Sequence, residues 1–146
     1  MPGNSYTIKP IGVIRKQDDH AFIEIYPDYT DGLLGIDQFS HINVFYWFSE
    51  NDDAESRALL QVHPCGNEAN PLTGVFATHS PRRPNLIASS TCKILAVEDN
   101  RIMIEDIDAF DGSPVIDIKS YFPDDIPHDQ VRKPKWEGHP DDEEEE

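Results

Sequence analysis

The sequence has little that would commit it to the commonest enzyme chemistries. Its two cysteines, Cys65 and Cys92, form no CxxC motif and are too few for a disulfide framework, so reduced thiols are expected. No GxGxxG, P-loop or GxSxG occurs, which removes the glycine-rich nucleotide cradles and the nucleophile elbow. The six histidines (His20, His41, His63, His79, His128, His139) show no close metal-ligand spacing, and no metal is expected. The longest apolar run, residues 44–48, is five residues long and cannot span a bilayer. The first residues carry neither a basic n-region nor an apolar h-region. The expectation is a cytoplasmic protein without a membrane partner.

Positive charge is also scarce. Lys and Arg number 12 against 28 Asp and Glu, a net charge of −16. The last six residues are all acidic, and the preceding 140 still carry −10. Such a field repels phosphate backbones, so the molecule as a whole is not built for non-specific nucleic-acid binding, although a local basic patch remains open to it. General solubility or adaptation to a salty cytoplasm is the other reading of this charge.

What is present reads as strands. Residues 6–14 suggest a first strand, and 21–25 (AFIEI) alternate as a second. Residues 41–48 (HINVFYWF) are nearly all apolar or aromatic, as in a strand buried on both faces. Residues 59–63 and 74–78 are shorter candidates. Residues 92–97 and 101–107 flank Glu98-Asp99-Asn100, a hairpin turn, and 115–121 (VIDIKSY) close the series. Helical signals amount to one or two short turns, at 29–39 with Asp31 as a cap and at 51–56. Twelve prolines argue against long helices. Short strands at this spacing predict an all-β fold, a compact antiparallel β-barrel over residues 1–122, since closure removes exposed edges. Residues 123–146 read as an extended acidic C-terminal tail, with Trp136 able to dock on the barrel or on a second subunit.

Two blocks concentrate the polar groups. Residues 74–85 (GVFATHSPRRPN) are a strand running into a loop stiffened by Pro81 and Pro84. Thr78, His79, Ser80, Arg82, Arg83 and Asn85 offer donors and acceptors there, and an arginine pair in an acidic protein suits a carboxylate or a phosphate. The same pair would equally serve neighbouring carboxylates. In residues 108–121 (DAFDGSPVIDIKSY), Asp111-Gly112 makes a tight turn. Asp117, Lys119 and Tyr121 then share one strand face, with Ile116 and Ile118 on the other. An acid, a base and a phenol in a row suit catalysis, and suit a surface ladder as well. Cys92, inside a strand-like run, reads as a buried and inert thiol, and His41 as a structural histidine.

These blocks resemble the TsaA/TrmO-like family, whose signatures read GVFATRSPxRPNPIGLS and DGTPVxDIKPY against GVFATHSPRRPNLIASS and DGSPVIDIKSY here. Ile11-Gly-Val-Ile-Arg15, Phe39-Ser-His-Ile42, Val62-His-Pro64 and the PLTG ending at Gly74 fall in the same order, so the resemblance covers nearly the whole of residues 6–123. It implies a β-barrel, a homodimer, and S-adenosylmethionine bound without a Rossmann fold. The implied activity is N6-methylation of threonylcarbamoyl-adenosine in tRNA, with Arg82 and Arg83 as the local patch for tRNA. It assigns cofactor contacts to Phe48, Ser49, Thr78, His79, Ser80, Arg83, Asn85, Thr91, Asp111, Gly112, Ser113 and Pro114. Asp117, Lys119 and Tyr121 become candidates for orientation or proton handling. Four departures stand out: His79 for the family arginine, Ala88 for its glycine, Ser49 for its histidine, and no PRQG-containing loop after Arg15. Two other functions fit these residues, a non-catalytic regulator that binds S-adenosylmethionine or a nucleotide, and a methyltransferase for a small-molecule acceptor.

Overall fold

The computed structural model describes residues 3–138. The acidic run at 141–146 lies outside the described residues. The strands are β1 (Gly12–Gln17), β2 (His20–Ile25), β3 (His41–Trp47), β4 (Gln61–Val62), β5 (Thr73–Gly74), β6 (Ile87–Glu98), β7 (Arg101–Ile104) and β8 (Pro114–Ser120). The chain divides into two compact units, Met1–Ser49 with Ile87–Tyr121 and Glu50–Leu86 with Phe122–Glu146.

The first unit is the expected antiparallel barrel, closed in the order β1-β2-β7-β6-β3-β8. Strict alternation on β3 sends Ile42, Val44 and Tyr46 inward, where they meet Ile14, Ile23, Ile25, Ile102, Ile104 and Val115. β-branched side chains dominate this interior because their stiff rotamers suit a pleated, packed surface. Tyr46 is the one large polar-tipped member, and its hydroxyl donates to the Asp108 carbonyl at 2.6 Å. Two tight turns keep the barrel small. Gln17 pairs with His20 around Asp18 (φ 54°), and Glu98 pairs with Arg101 around Asp99 (φ 53°). The first of these is the short connection expected after Arg15.

Closure also needs irregularities. The β3–β8 register shifts between Phe45 and Tyr46, which face Asp117 and Val115, so Ile116 is the extra residue of a bulge. The inward pair on β8 is therefore Val115 and Ile118 rather than Ile116 and Ile118. Bulges bend the strand that carries them, as a six-stranded barrel requires. Gly12 faces both Ile25 on β2 and Val115 on β8. A Cβ there would run into the Glu24 carbonyl oxygen.

Several boundaries differ from the sequence expectation. Tyr6 and Ile8 are exposed and no strand forms before Pro10, which has no N–H to donate; β1 starts at Gly12 instead. β6 begins at Ile87, well ahead of residue 92, because its first half pairs with β3 from Trp47↔Ile87 to Ile42↔Cys92. The 29–39 turns are 3-10 helices at Pro27–Leu33 and Ile36–Gln38, and the first has no side-chain cap, so Asp31 does not play that part.

The second unit holds α1 (Ala54–Ala58), the two-residue β4–β5 ladder and 3-10 turns. Residues 74–78 supply only the end of β5 and a 3-10 turn at Val75–Ala77, closed by the Thr78 N–H on the Val75 carbonyl. The chain after Tyr121 belongs to this unit and forms a short turn at His128–Gln130.

Cys92 is buried in the barrel core, and burial pushes its thiol up to about 11, with Asp106 adding to the shift. Cys65 is exposed. A disulfide-exchange reagent at neutral pH should therefore titrate a single thiol in the native protein and the other only after denaturation, since the thiolate is the reactive form. Prompt reaction of both would contradict this burial.

Candidate functional site

In the barrel unit the candidate residues separate along β3. Antiparallel pairing of Tyr46 with Val115 places Phe48 and Ser49 at the same barrel end as the turn leading into β8. That turn is built onto β1. The Lys16 N–H donates to Asp111 Oδ1 at 2.8 Å, the Gly112 N–H to the Ile14 carbonyl at 2.7 Å, and the Ile14 N–H to the Ser113 carbonyl at 2.9 Å. Gly112 has φ +88°, which glycine adopts at no steric cost. The Ser113 hydroxyl turns inward and donates to the Phe110 carbonyl at 2.7 Å. Asp111 itself is exposed, and a carboxylate accepts more than the one bond it makes to Lys16. Phe48 packs against the core, edge-on to Tyr46 with ring centroids 6.0 Å apart.

The outer face of β8, β3 and β6 carries the remaining barrel candidates. Lys119 and Thr91 both face Asn43, and Thr91 Oγ1 donates to Asn43 Oδ1 at 2.7 Å. Asp117 faces Phe45 and accepts from the following N–H, that of Ile118, at 2.9 Å. Tyr121 lies beside His41, with centroids 6.0 Å apart, and His41 Nδ1 is 2.7 Å from Ser40 Oγ. β3 spans about 20 Å at strand rise, so Tyr121 is at the opposite end of β3 from Phe48 and the Asp111 turn. The structure thus joins Phe48, Ser49 and residues 111–114, sets Asp117, Lys119 and Thr91 along the adjoining face, and leaves Tyr121 apart. Ala88 is not on that face. Its methyl lies in the barrel core opposite Tyr46.

The 78–85 loop belongs to the second unit and is bonded largely to itself. Thr78 Oγ1 donates to the Val75 carbonyl (2.9 Å) and accepts from the Ser80 N–H (3.1 Å). Ser80 Oγ accepts from the Arg82 N–H at 3.2 Å. Arg83 Nη1 donates to the carbonyls of Thr78 and Ser80, both at 3.1 Å. α1 anchors the far side. Arg57 Nε donates to the Pro84 carbonyl at 3.0 Å, and Arg82 pairs with Glu55 at 3.6 Å. The helix is itself capped by Asp53, which accepts from the Ser56 N–H at 2.6 Å. Hydrogen bonds from Ser56 lower the Asp53 pKa, so this cap is intact above the ordinary carboxylate range and is lost as pH falls through the depressed value. His79 and Asn85 are exposed.

Arg83 thus staples the loop through Nη1, and Arg82 makes a surface bridge. A signal for the staple was in the sequence: two prolines fix the loop's course and leave carbonyls that a guanidinium fork can gather. One feature escaped sequence reading, an open groove of about 610 Å³ on the barrel unit lined by Thr30, Leu33, Leu34, Asp31, Asp37 and Asp99 among others. It contains none of the candidate residues. Among the described residues no group of three or more His, Cys, Asp or Glu could hold a metal, and no helix is long and apolar enough to cross a membrane.

A small closed barrel, a self-bonded GVFATHSPRRPN loop and a DGSP turn built onto β1 define one class of protein. Residues 6–125 match the model of the tRNA-methyltransferase O N-terminal domain, and the chain belongs to that family. It is 48% identical over 121 residues to a probable S-adenosyl-L-methionine-binding protein of Pyrococcus horikoshii, covering 83% of this chain and 86% of the relative. A probable S-adenosyl-L-methionine-binding protein of Methanocaldococcus jannaschii is 44% identical over 116 residues, covering 80% and 92%. A crystal structure of TrmO superposes with a TM-score of 0.69 at 28% identity. The match covers 89% of this chain, which spans 64% of that solved chain.

Proposed function

We propose that this chain is an S-adenosylmethionine-dependent methyltransferase that acts on tRNA, at N6 of threonylcarbamoyl-adenosine. The observation that carries the reading is the family match across residues 6–125, which takes in both the 74–85 loop and the 111–121 block. The residues present fit the cofactor's chemistry. Its carboxylate calls for donors, and the loop offers the exposed His79 and Asn85 with main chain held in place by Arg83. Its ammonium and ribose hydroxyls call for acceptors, and Asp111 is exposed with acceptor capacity to spare. We assign the cofactor to Phe48, Ser49, Thr78, His79, Ser80, Arg83, Asn85, Thr91 and residues 111–114.

When bound, the cofactor supplies a methyl group activated by its sulfonium. The protein's part is to hold the acceptor nitrogen in line and to take up the proton it loses. A loop and a turn already fixed by internal hydrogen bonds bring little ordering cost to that task. Asp117 and Lys119, on the face adjoining the Asp111 turn, are assigned to orientation or proton handling, and Tyr121 at the far end of β3 to more distant contacts. A homodimer is part of the reading.

Calorimetric titration of S-adenosylmethionine tests it. Micromolar binding is expected, with thermal stabilisation equivalent to about 2.7 kcal/mol at a hundredfold excess over Kd. Neither heat nor stabilisation at millimolar cofactor would overturn the assignment. Methyl transfer to tRNA carrying threonylcarbamoyl-adenosine then separates an enzyme from a protein that only binds.

A further inference from the structure

We propose that Lys16 is a positioning residue for the turn at residues 111–114, a proposal that rests on the cofactor reading above. The segment from Ile107 to Asp111 leads into that turn, and this one lysine holds it at both ends. Lys16 Nζ donates to the Ile107 carbonyl at 2.6 Å, and the Lys16 N–H donates to Asp111 Oδ1 at 2.8 Å.

The edge of β1 explains the arrangement. β8 pairs with β1 only at Gly12 and Val13, so the main chain beyond Val13 needs other partners on that side. The turn supplies them. The Ile14 N–H donates to the Ser113 carbonyl, and the Ile14 carbonyl accepts from the Gly112 N–H. Two residues on, in step with the strand, the Lys16 N–H meets the Asp111 carboxylate. Here a side chain takes the place of a strand, and the half-buried Lys16 side chain ties down the segment that delivers it. The carbonyls between are taken as well. Tyr46 donates to the Asp108 carbonyl at 2.6 Å, and the Ser113 N–H and hydroxyl donate to the Phe110 carbonyl at 3.1 and 2.7 Å. Ile107 and Ala109 pack on the barrel core, whereas Asp108, Phe110 and Asp111 are exposed. The segment is thus bound through its main chain and its inward side chains, and it presents Asp111 to solvent at a set angle. A carboxylate fixed before its ligand arrives loses little freedom on binding.

Calorimetry with S-adenosylmethionine on Lys16→Met, Asp111→Ala and the double variant tests the assignment. Methionine keeps a stem of similar length and the main-chain N–H, and removes only the ammonium. Loss of a charge-assisted hydrogen bond from the binding-competent form should weaken the cofactor about 10-fold or more. In the Asp111→Ala background the same change should cost less than about 2-fold, because Lys16 acts through that carboxylate. Lys16→Arg keeps a donor at the end of the stem and should recover part of the loss. Hydrogen exchange at the Gly112 amide reads the turn without any cofactor, and should quicken about 10-fold in Lys16→Met. Equal losses of affinity in the two backgrounds would mark a general weakening of the fold and overturn the proposal. Full affinity and unchanged Gly112 exchange in Lys16→Met would overturn it while leaving the cofactor reading intact. If the unmodified chain binds no cofactor, that reading falls, and the positioning role assigned to Lys16 falls with it.

Discussion

Replacing Arg83 by alanine should weaken S-adenosylmethionine binding on the order of 100-fold while leaving the barrel folded. The reasoning starts from the two bonds that Nη1 makes to the Thr78 and Ser80 carbonyls. Hydrogen bonds from a charged donor contribute about 1.5–3 kcal/mol each. Losing both removes about 3 kcal/mol from the ordered form of the 78–83 loop. If the ordered loop is the binding-competent one, apparent affinity falls by the same factor as its population. Arg83→Lys should restore only part of this, because an ammonium on a flexible stem cannot reproduce the planar fork. Calorimetry reads the affinity and thermal unfolding reads the barrel. Unchanged affinity in Arg83→Ala would mean that the loop's order does not matter to the cofactor.

The arginine also shows where the sequence was legible and where it was not. Residue types on a proline-stiffened loop pointed to anion binding, yet the choice between contacting a ligand and gathering carbonyls depends on where the backbone turns. Thr78 ends a 3-10 turn rather than a strand, and this brings its carbonyl within reach of Arg83 Nη1. The barrel itself was readable because β2 and β3 carry apolar runs that do form strands, although β3 buries only its Ile42, Val44 and Tyr46 face rather than both faces as its composition suggested, and because Asp99-Asn100 forms the tight turn its sequence suggested. β6 was half missed. The segment at 87–91 has no local signal strong enough to separate a strand from a loop, and its ladder comes from non-local pairing with β3. Ile116 was misplaced because a bulge breaks the two-residue period that the reading assumed. The Asn70 carboxamide bonds both main-chain groups of Glu137, 67 positions away, and neither partner announces the other.

The barrel's closure should be most sensitive at Gly12. This residue opens β1 between two strands at once, facing Ile25 on one side and Val115 on the other. Its backbone φ is not in the left-handed region, so alanine is conformationally allowed and would even gain up to about 1 kcal/mol from a stiffer unfolded chain. Space is what forbids it. An added Cβ overlaps the Glu24 carbonyl oxygen and sits 3.2 Å from Ile25 Cα, all main chain of the paired strand. No rotamer change can relieve a clash with backbone, so the β1–β2 ladder must shift, and overpacking of this kind costs about 1–3 kcal/mol or more. The net expectation for Gly12→Ala is a loss of about 2 kcal/mol and a fall in Tm of the order of 5–10 °C. By contrast Gly32→Ala, where a Cβ meets nothing within 4 Å, should leave Tm almost unchanged. Equal melting temperatures for the two variants would show that β1 can move away from β2 without loss, and that the barrel is not closed as tightly as the Gly12 pairing requires.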